Sequence, residues 1–228
     1  MTSLTFRYLF DPLCGWCYAS APALAALADR YGDRIQIMPS GLFAGSGARA
    51  TAQIADHATR TDKLIAERTR QVYSDAYFRD VLRKPNGKFN SGPATYALVA
   101  LGEIERSLEA RFLHEVQIAR YIHARDTSFP AEVAAVAIAV ASEAGLCLDA
   151  DQFEQSLTDD EALAERVNHR IATSIRLMKR LSVEGVPALV MTIDGEDRII
   201  QGSTIYGGGP ALMATLDNTL TSHPTVVN

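Results

Sequence analysis

The amino-acid sequence predicts an α/β fold in which a large all-helical insertion separates a β-α-β half from a β-β-α half. Three observations support this prediction. Apolar residues alternate in short runs near both ends of the chain, as they do in strands. Between Ser40 and Ser182 no strand pattern appears, and apolar residues recur at helical spacing. Turn-forming residues stand between these segments. We therefore expect one domain from residues 1–45 and 175–228, and a helical insertion domain over residues 46–174.

The first half contains a strand, a helix and a second strand. Residues 4–10 are aromatic and alternating, which predicts a strand that Asp11-Pro12 ends. A helix follows from Cys14, and Gly32-Asp33 ends it. Residues 34–38 alternate again and predict the second strand, and residues 39–47 are expected to form a loop.

The insertion is expected to contain only helices. Asp149 is a candidate cap for one of them, and Asp159 or Asp160 for the next. Gly145 would stop the alanine-rich helix before them. The predicted helices cover residues 53–82, 93–124, 131–144, 149–157 and 160–181.

The second half returns to strands. Residues 187–193 and 198–201 read as two strands, and Asp194-Gly195 between them favours a hairpin turn. Residues 207–209 are three glycines and predict a flexible break. Pro210 would open a last helix that continues through Leu220.

Charge and hydropathy exclude several classes of protein. The chain has 228 residues, a net charge of −5 and no basic run, which argues against a nucleic-acid surface. Its most apolar stretch, residues 133–141, is far shorter than the about 20 residues that span a bilayer. No signal peptide is visible at the N-terminus. We therefore expect a cytoplasmic protein that binds neither nucleic acid nor a membrane.

Two of the three cysteines form the motif Cys14-Gly15-Trp16-Cys17 at a strand-to-helix junction. At this spacing both thiols lie on one side of the first helical turn. The unpaired amides there carry about half a positive charge, which stabilises a thiolate. Cys14 would be the exposed attacking thiol and Cys17 the more buried resolving thiol.

Three other interpretations of this motif remain open. A zinc site needs about four ligands, whereas Cys147 and the five isolated histidines, at positions 57, 114, 123, 169 and 223, form no second paired motif. A c-type haem site would need His directly after the second cysteine, where Tyr18 stands. An inert structural pair is the third possibility. We expect no metal and no bound cofactor.

Two prolines bear on the dithiol. Pro22 follows Cys17 by five residues and predicts either a kink in the helix or a helix boundary. Pro187, in Gly185-Val186-Pro187, precedes a predicted strand and fits simple strand initiation. A cis peptide bond is the alternative there, and the residues alone do not select it.

Taken together, these segments resemble the DsbA-like branch of the thioredoxin superfamily, particularly its FrnE-like members with Trp before the second cysteine. The resemblance covers nearly the whole chain. The similar segments are residues 10–17 around the dithiol, Pro22, the helical block from Phe112 to Leu146, and Gly185-Val186-Pro187-Ala188.

This resemblance implies a thioredoxin fold and a thiol–disulfide oxidoreductase or isomerase. It implies that Pro187 is cis and lies against the cysteine pair, and that the Val186 backbone pairs with an extended substrate. Gly15, Trp16, Val186 and Pro187 would then contact substrate. Periplasmic DsbA proteins carry Pro-His between the cysteines, so the redox potential of strong oxidants is not transferred to this chain.

Three further residues allow two interpretations each. Trp16 is expected to be partly exposed, with a core position as the alternative. Asp11 is expected to cap the helix or form a turn rather than relay a proton to Cys17. Cys147 is expected to be buried packing rather than a regulatory thiol.

Two other functions compete with disulfide exchange. One is a glutathione-dependent isomerase or transferase, as in proteins similar to 2-hydroxychromene-2-carboxylate isomerase and kappa-class glutathione transferases. Those generally carry Ser at the position of Cys14 and lack the second cysteine, so both thiols here favour redox chemistry. The other is a binding scaffold without turnover. We expect protein or small-molecule thiols and disulfides as partners, with glutathione as a possible co-substrate.

Overall fold

The computed structural model of the protein describes residues 3–222. In its main sheet, strand β1 (Leu4–Phe10) pairs in parallel with β2 (Ile35–Pro39) and antiparallel with β5 (Ala188–Ile193). β6 (Glu196–Ile200) completes the sheet as a hairpin with β5. The strand order is therefore β2-β1-β5-β6. This is the predicted thioredoxin fold, with the helical insertion between its two halves.

Helices surround the sheet and fill the insertion. The helices of the first half and the insertion are α1 (Gly15–Ala19), α2 (Ala21–Tyr31), α3 (Thr51–Thr69), α4 (Gly92–Ile104), α5 (Leu108–Tyr121), α6 (Pro130–Glu143), α7 (Ala150–Asp159) and α8 (Glu161–Arg180). Two more follow β6, namely α9 (Ser203–Tyr206) and α10 (Gly208–Ser222). Within residues 3–222, every helix is too short or too polar to span a lipid bilayer.

Several local predictions are confirmed. Asp149 and Asp160 cap α7 and α8, each accepting a hydrogen bond from a backbone N–H in the first turn. Gly145 takes a positive φ of 81° directly after α6. Asp194 and Gly195 have φ of 49° and 87°, as a type I′ hairpin turn requires.

The prediction of one helix over residues 53–82 is wrong. α3 ends at Thr69, and Arg70 adopts a left-handed φ of 62°. The chain then runs in irregular structure to a π-helical turn over Tyr77–Val81. The intervening segment contacts the dithiol helix, since Tyr18 Oη donates to the Val72 carbonyl at 3.1 Å. This tertiary contact accounts for the break.

The prediction of one helix over residues 93–124 is also wrong. Glu105 is extended, with φ of −153°, and separates α4 from α5. Arg106, in the connection, donates to the Ile35 carbonyl at 3.0 Å. The break lets α5 fold back onto α4.

The expectation that no strand lies between Ser40 and Ser182 is wrong as well. β3 (Arg49–Ala50) and β4 (Lys88–Phe89) pair antiparallel in a second, two-stranded sheet. Two residues per strand are too few to produce an alternating pattern in the sequence.

The three glycines at 207–209 do not form a flexible break. α9 ends before them, and α10 begins at Gly208 rather than at Pro210. Gly209 is buried against α2, where an added Cβ would lie 2.7 Å from the Cβ of Ala26. Close packing of α10 on α2 therefore requires glycine here.

The proposed domain boundary between residues 174 and 175 falls inside α8. α8 also packs against β2 of the main sheet. Arg170 of this helix pairs with buried Glu109 of α5 and donates to the Ile37 carbonyl at 2.6 Å. The division of the chain into two domains stays a prediction.

Candidate active site

The two cysteines lie where β1 gives way to α1. Cys14 is the residue before the first helical turn, with an extended backbone, and Cys17 lies in that turn. Both are free thiols. Cys14 is 9% exposed and Cys17 is 1% exposed, so both thiols are buried, Cys14 less deeply. The expectation that Cys14 is exposed is wrong, because the loop at Val186 contacts its sulfur. A short turn over residues 11–14 holds them there, closed by a hydrogen bond from the Cys14 N–H to the Asp11 carbonyl at 3.1 Å.

The Cys17 thiol sits in an environment that opposes its ionisation. Burial raises the pKa of Cys17 well above its ordinary value, and the hydrogen bond and charge of Cys14 raise it further. The Asp11 backbone N–H donates to Cys17 Sγ at 3.5 Å, which acts in the opposite direction. Cys17 therefore stays protonated near neutral pH until a base or a reaction partner removes its proton.

Asp11 is a buried turn residue, not a helix cap. Its Oδ1 accepts from the Leu13 N–H at 2.9 Å, and its Oδ2 accepts from the Phe43 N–H at 3.0 Å and from Ser91 Oγ at 2.9 Å. The residue that precedes α1 is Cys14, and its side chain makes no capping bond. Burial raises the pKa of Asp11, while these three hydrogen bonds lower it. Asp11 thus ties the dithiol turn to the loop after β2 and to the insertion.

The Val186–Pro187 peptide bond is cis, as the resemblance implied. Cys14 Sγ donates to the Val186 carbonyl at 3.6 Å, so the loop before β5 lies beside the more exposed thiol. Pro187 is buried and Val186 is half-buried. This loop brings residues 14 and 186 together although they are far apart in the chain.

Gly15 and Trp16 are both partly exposed, which confirms the expectation for Trp16. The Trp16 ring packs against Tyr206 of α9, with ring centroids 4.5 Å apart. Tyr206 was not among the candidate residues. The sequence does not indicate this contact, because only the folded sheet brings α9 next to the dithiol.

An apolar groove borders the same loop. It has a volume of about 460 Å³. Leu42 and Ile175, which line it, are 48% and 39% exposed. Its other apolar lining residues are Met178, Val183 and Val186. Val186 lines this groove and also contacts Cys14 Sγ, so the groove is continuous with the surface around Cys14.

A buried polar cluster from the insertion also reaches the dithiol helix. Asp62 of α3 is 4% exposed and accepts from Tyr77 Oη at 2.9 Å. Tyr73 Oη donates to the Gly15 carbonyl at 3.2 Å. Sequence reasoning missed this cluster. One signal was present, since Asp62 interrupts an apolar stripe of α3 formed by Ala55, Ala58 and Ile65.

The remaining candidates lie away from the dithiol or carry no site. Cys147 is exposed, so the expectation of buried packing is wrong. It lies in the connection between α6 and α7, where its neighbours Leu146 and Leu148 pack against the core and Cys147 itself does not. The histidines at 57, 114, 123 and 169 are exposed, and His223 lies outside the described residues. Within residues 3–222, no group of three or more His, Cys, Asp or Glu side chains is arranged to hold a metal ion.

Comparisons with known proteins agree with this geometry. The family model of the DSBA-like thioredoxin domain matches residues 7–207. The cytosolic disulfide reductase DsbM from Pseudomonas aeruginosa superposes with a TM-score of 0.79 at 28% identity, over 95% of this chain and 98% of that chain. The same reductase solved with glutathione gives a TM-score of 0.77, again at 28% identity, over 95% and 99%.

Two more distant structures share the fold. A protein from Nitrosomonas europaea, to which a disulfide isomerase function has been attributed, gives a TM-score of 0.72 at 21% identity, over 97% and 100% of the two chains. A 2-hydroxychromene-2-carboxylate isomerase gives 0.57 at 17% identity, over 97% and 100%. A search of curated proteins found no match.

Proposed function

Because this chain belongs to the family of DsbA-like thioredoxin domains, we propose that it is a cytoplasmic thiol–disulfide oxidoreductase that works through Cys14 and Cys17. The observation that carries the proposal is the pairing of two free thiols at the β1–α1 junction. The more accessible one lies against the cis-proline loop, at 3.6 Å from the Val186 carbonyl. The other is the more deeply buried of the two.

The reaction proceeds in two exchanges that conserve atoms and electrons. The Cys14 thiolate attacks one sulfur of a substrate disulfide, whose S–S bond breaks and releases one substrate thiolate. The Cys17 thiol then loses its proton and attacks Cys14 Sγ. The mixed disulfide breaks, the second substrate thiol leaves, and Cys14 and Cys17 become a disulfide. Two electrons have passed from the dithiol to the substrate.

Substrate would bind along the loop beside Cys14. Val186 offers a backbone edge on which an extended peptide can add a strand. Pro187 lacks an N–H and a thiol, so it lies beside a disulfide without reacting with it. Gly15 and Trp16 form the other side of the approach. The apolar groove next to Val186 favours a polypeptide substrate, since it offers burial to a side chain that flanks the disulfide.

We propose reduction of substrates as the direction of electron flow, with glutathione as the co-substrate that restores the dithiol. Two glutathione molecules would supply the two electrons and leave as glutathione disulfide. The 28% identity to a cytosolic disulfide reductase, and its structure with glutathione, support this choice.

Single substitutions of the cysteines test this function. Cys14→Ser should abolish the reduction of insulin or a small disulfide. Cys17→Ser should retain the first exchange and accumulate mixed disulfides with the substrate, visible as adducts by mass spectrometry. Cys147→Ser is the matched control and should leave turnover unchanged, because Cys147 is exposed in the connection between α6 and α7 and is not part of the dithiol.

Two results would contradict the proposal. Full activity of Cys14→Ser would rule out redox chemistry at this dithiol. Full turnover of Cys17→Ser without a trapped adduct would instead support a glutathione-dependent enzyme that needs one thiol.

A further inference from the structure

Asp62 is a buried carboxyl group packed against Gly15, the first of the two residues between the cysteines. It lies on the inner face of α3 and is 4% exposed. A Cβ added to Gly15 would overlap Asp62 Oδ1 and would lie 3.0 Å from Ile65 Cδ1. The carboxyl group therefore occupies the space beside the Gly15 backbone, one residue from Cys14.

The groups that face Asp62 come from several elements. Tyr77, in the π-helical turn, donates its hydroxyl to Oδ2 at 2.9 Å. Tyr73 and Tyr121 lie in the same cluster, where the charge of Asp62 raises the pKa of each in addition to burial. Arg120 of α5 is fully buried and is the cation that faces the cluster. Its guanidinium lies 5.6 Å from the centroid of the Tyr77 ring.

These surroundings set the pKa of Asp62. Burial raises the pKa of Asp62 to about 7, while the Tyr77 hydrogen bond and the charge of Arg120 lower it. The carboxyl group therefore changes charge near neutral pH.

The Tyr73 hydroxyl links this charge to the dithiol. It donates to the Gly15 carbonyl at 3.2 Å, and its pKa is raised by burial, then by the charge of Asp62 and, more weakly, of Cys14. The charges of Asp62 and Cys14 thus both raise the pKa of the Tyr73 hydroxyl, which is bonded to Gly15. An ionised carboxyl group beside Gly15 would repel a thiolate on the preceding residue across a buried, weakly screened space.

We propose that Asp62 is a positioning residue that controls the Cys14 nucleophile: its neutral form permits the Cys14 thiolate, and its ionised form opposes it. This inference rests on the proposed function of the dithiol. It assigns to the helical insertion a regulatory part in the chemistry of the thioredoxin half. It also accounts for glycine at position 15, where any side chain would displace the carboxyl group.

The test measures the rate of alkylation of Cys14 by iodoacetamide between pH 5 and 9, in the full chain carrying Cys17→Ser and Cys147→Ser. Adding Asp62→Asn keeps an oxygen that accepts from Tyr77 but removes the charge. Its rate should match the parent near pH 5.5 and exceed it about tenfold near pH 8, as expected for a nearby buried like charge. Asp56→Asn, on the exposed face of the same helix, is the control and should follow the parent at every pH.

A second variant keeps the test informative if Asp62→Asn folds poorly. Tyr77→Phe removes a hydrogen bond that stabilises the carboxylate, so the suppression of alkylation should begin at higher pH. A purely structural role of Asp62 would change the rates equally at all pH values, and that result would overturn the inference. Superposable profiles in a chain whose wild type reduces disulfides would also overturn it, and the proposed function would stand. A wild type that does not depend on Cys14 would overturn the proposed function itself.

Discussion

Replacing Asp62 by Asn should make the protein more stable relative to wild type as the pH rises from 5 to 8. The buried carboxyl group has a pKa of about 7 in the folded protein, against an ordinary value of 3.8. Between these two values the folded state binds more protons than the unfolded state. Stability contributed by this group therefore falls as the pH rises through that window.

The magnitude follows from the two pKa values. The wild type loses about 4 kcal/mol through this one group as the pH rises from well below 4 to well above 7. Between pH 5 and 8 the corresponding loss is about 2–3 kcal/mol. Asn carries no charge at any pH and can still accept the Tyr77 hydroxyl, so the variant avoids this loss.

Urea unfolding followed by far-ultraviolet circular dichroism at pH 5 and pH 8 measures the difference. The free energy of unfolding of Asp62→Asn minus that of wild type should increase by about 2–3 kcal/mol between the two pH values. Asp56→Asn, an exposed carboxyl group of the same helix, should show no comparable increase. A difference that stays constant within about 0.5 kcal/mol would refute the assignment of a raised pKa to Asp62.

Three other substitutions probe the turn, the helix packing and the groove. Asp11→Ala should cost about 3 kcal/mol in urea unfolding because it leaves three donors without their acceptor, and a loss below about 1 kcal/mol would contradict this. Gly209→Ala should cost about 1–3 kcal/mol of stability through overpacking, and adding Ala26→Gly should restore part of that loss. If the double variant were only as stable as Gly209→Ala alone, the helices would simply separate rather than overpack. Leu42→Glu should raise the KM for an oxidised protein substrate about tenfold, with little effect on a small disulfide. Ile104→Glu, another exposed apolar residue, is the control, and equal effects of the two would disprove a docking role for the groove.

The fold was predictable wherever local chemistry is decisive. Alternation over residues 4–10 and the Asp194-Gly195 turn defined strands and a hairpin that the structure contains. Asp149 and Asp160 marked helix starts through hydrogen bonds that span only three residues. Each of these features is local, so neighbouring residues suffice to specify it.

The breaks within the insertion were not predictable, because tertiary contacts cause them. The chain leaves α3 at Arg70 and then meets Tyr18, far away in sequence. The extended conformation of Glu105 carries no Pro or Gly signal at that residue. Conversely, the run of glycines at 207–209 predicts flexibility, although Gly209 is required for close packing against Ala26.

The candidate active site likewise has features that neighbouring residues specify and features that only distant contacts create. Cys14 and Cys17 are neighbours in sequence, and their placement at a strand-to-helix junction follows from the pattern around them. The approach of Val186 to Cys14 entered only through the family resemblance, since the two are 172 residues apart. Tyr206 and Asp62 reach the dithiol from α9 and α3, and no spacing in the sequence indicates those contacts.

The central claim is that Cys14 and Cys17 exchange two electrons with thiol substrates as one unit. The most direct test is peptide mapping by mass spectrometry after the reduced protein reacts with an equimolar amount of glutathione disulfide. The account predicts a Cys14–Cys17 disulfide, release of two molecules of glutathione, and a free thiol at Cys147. A stable glutathione adduct on Cys14 with Cys17 still reduced, or no reaction of either thiol, would contradict it.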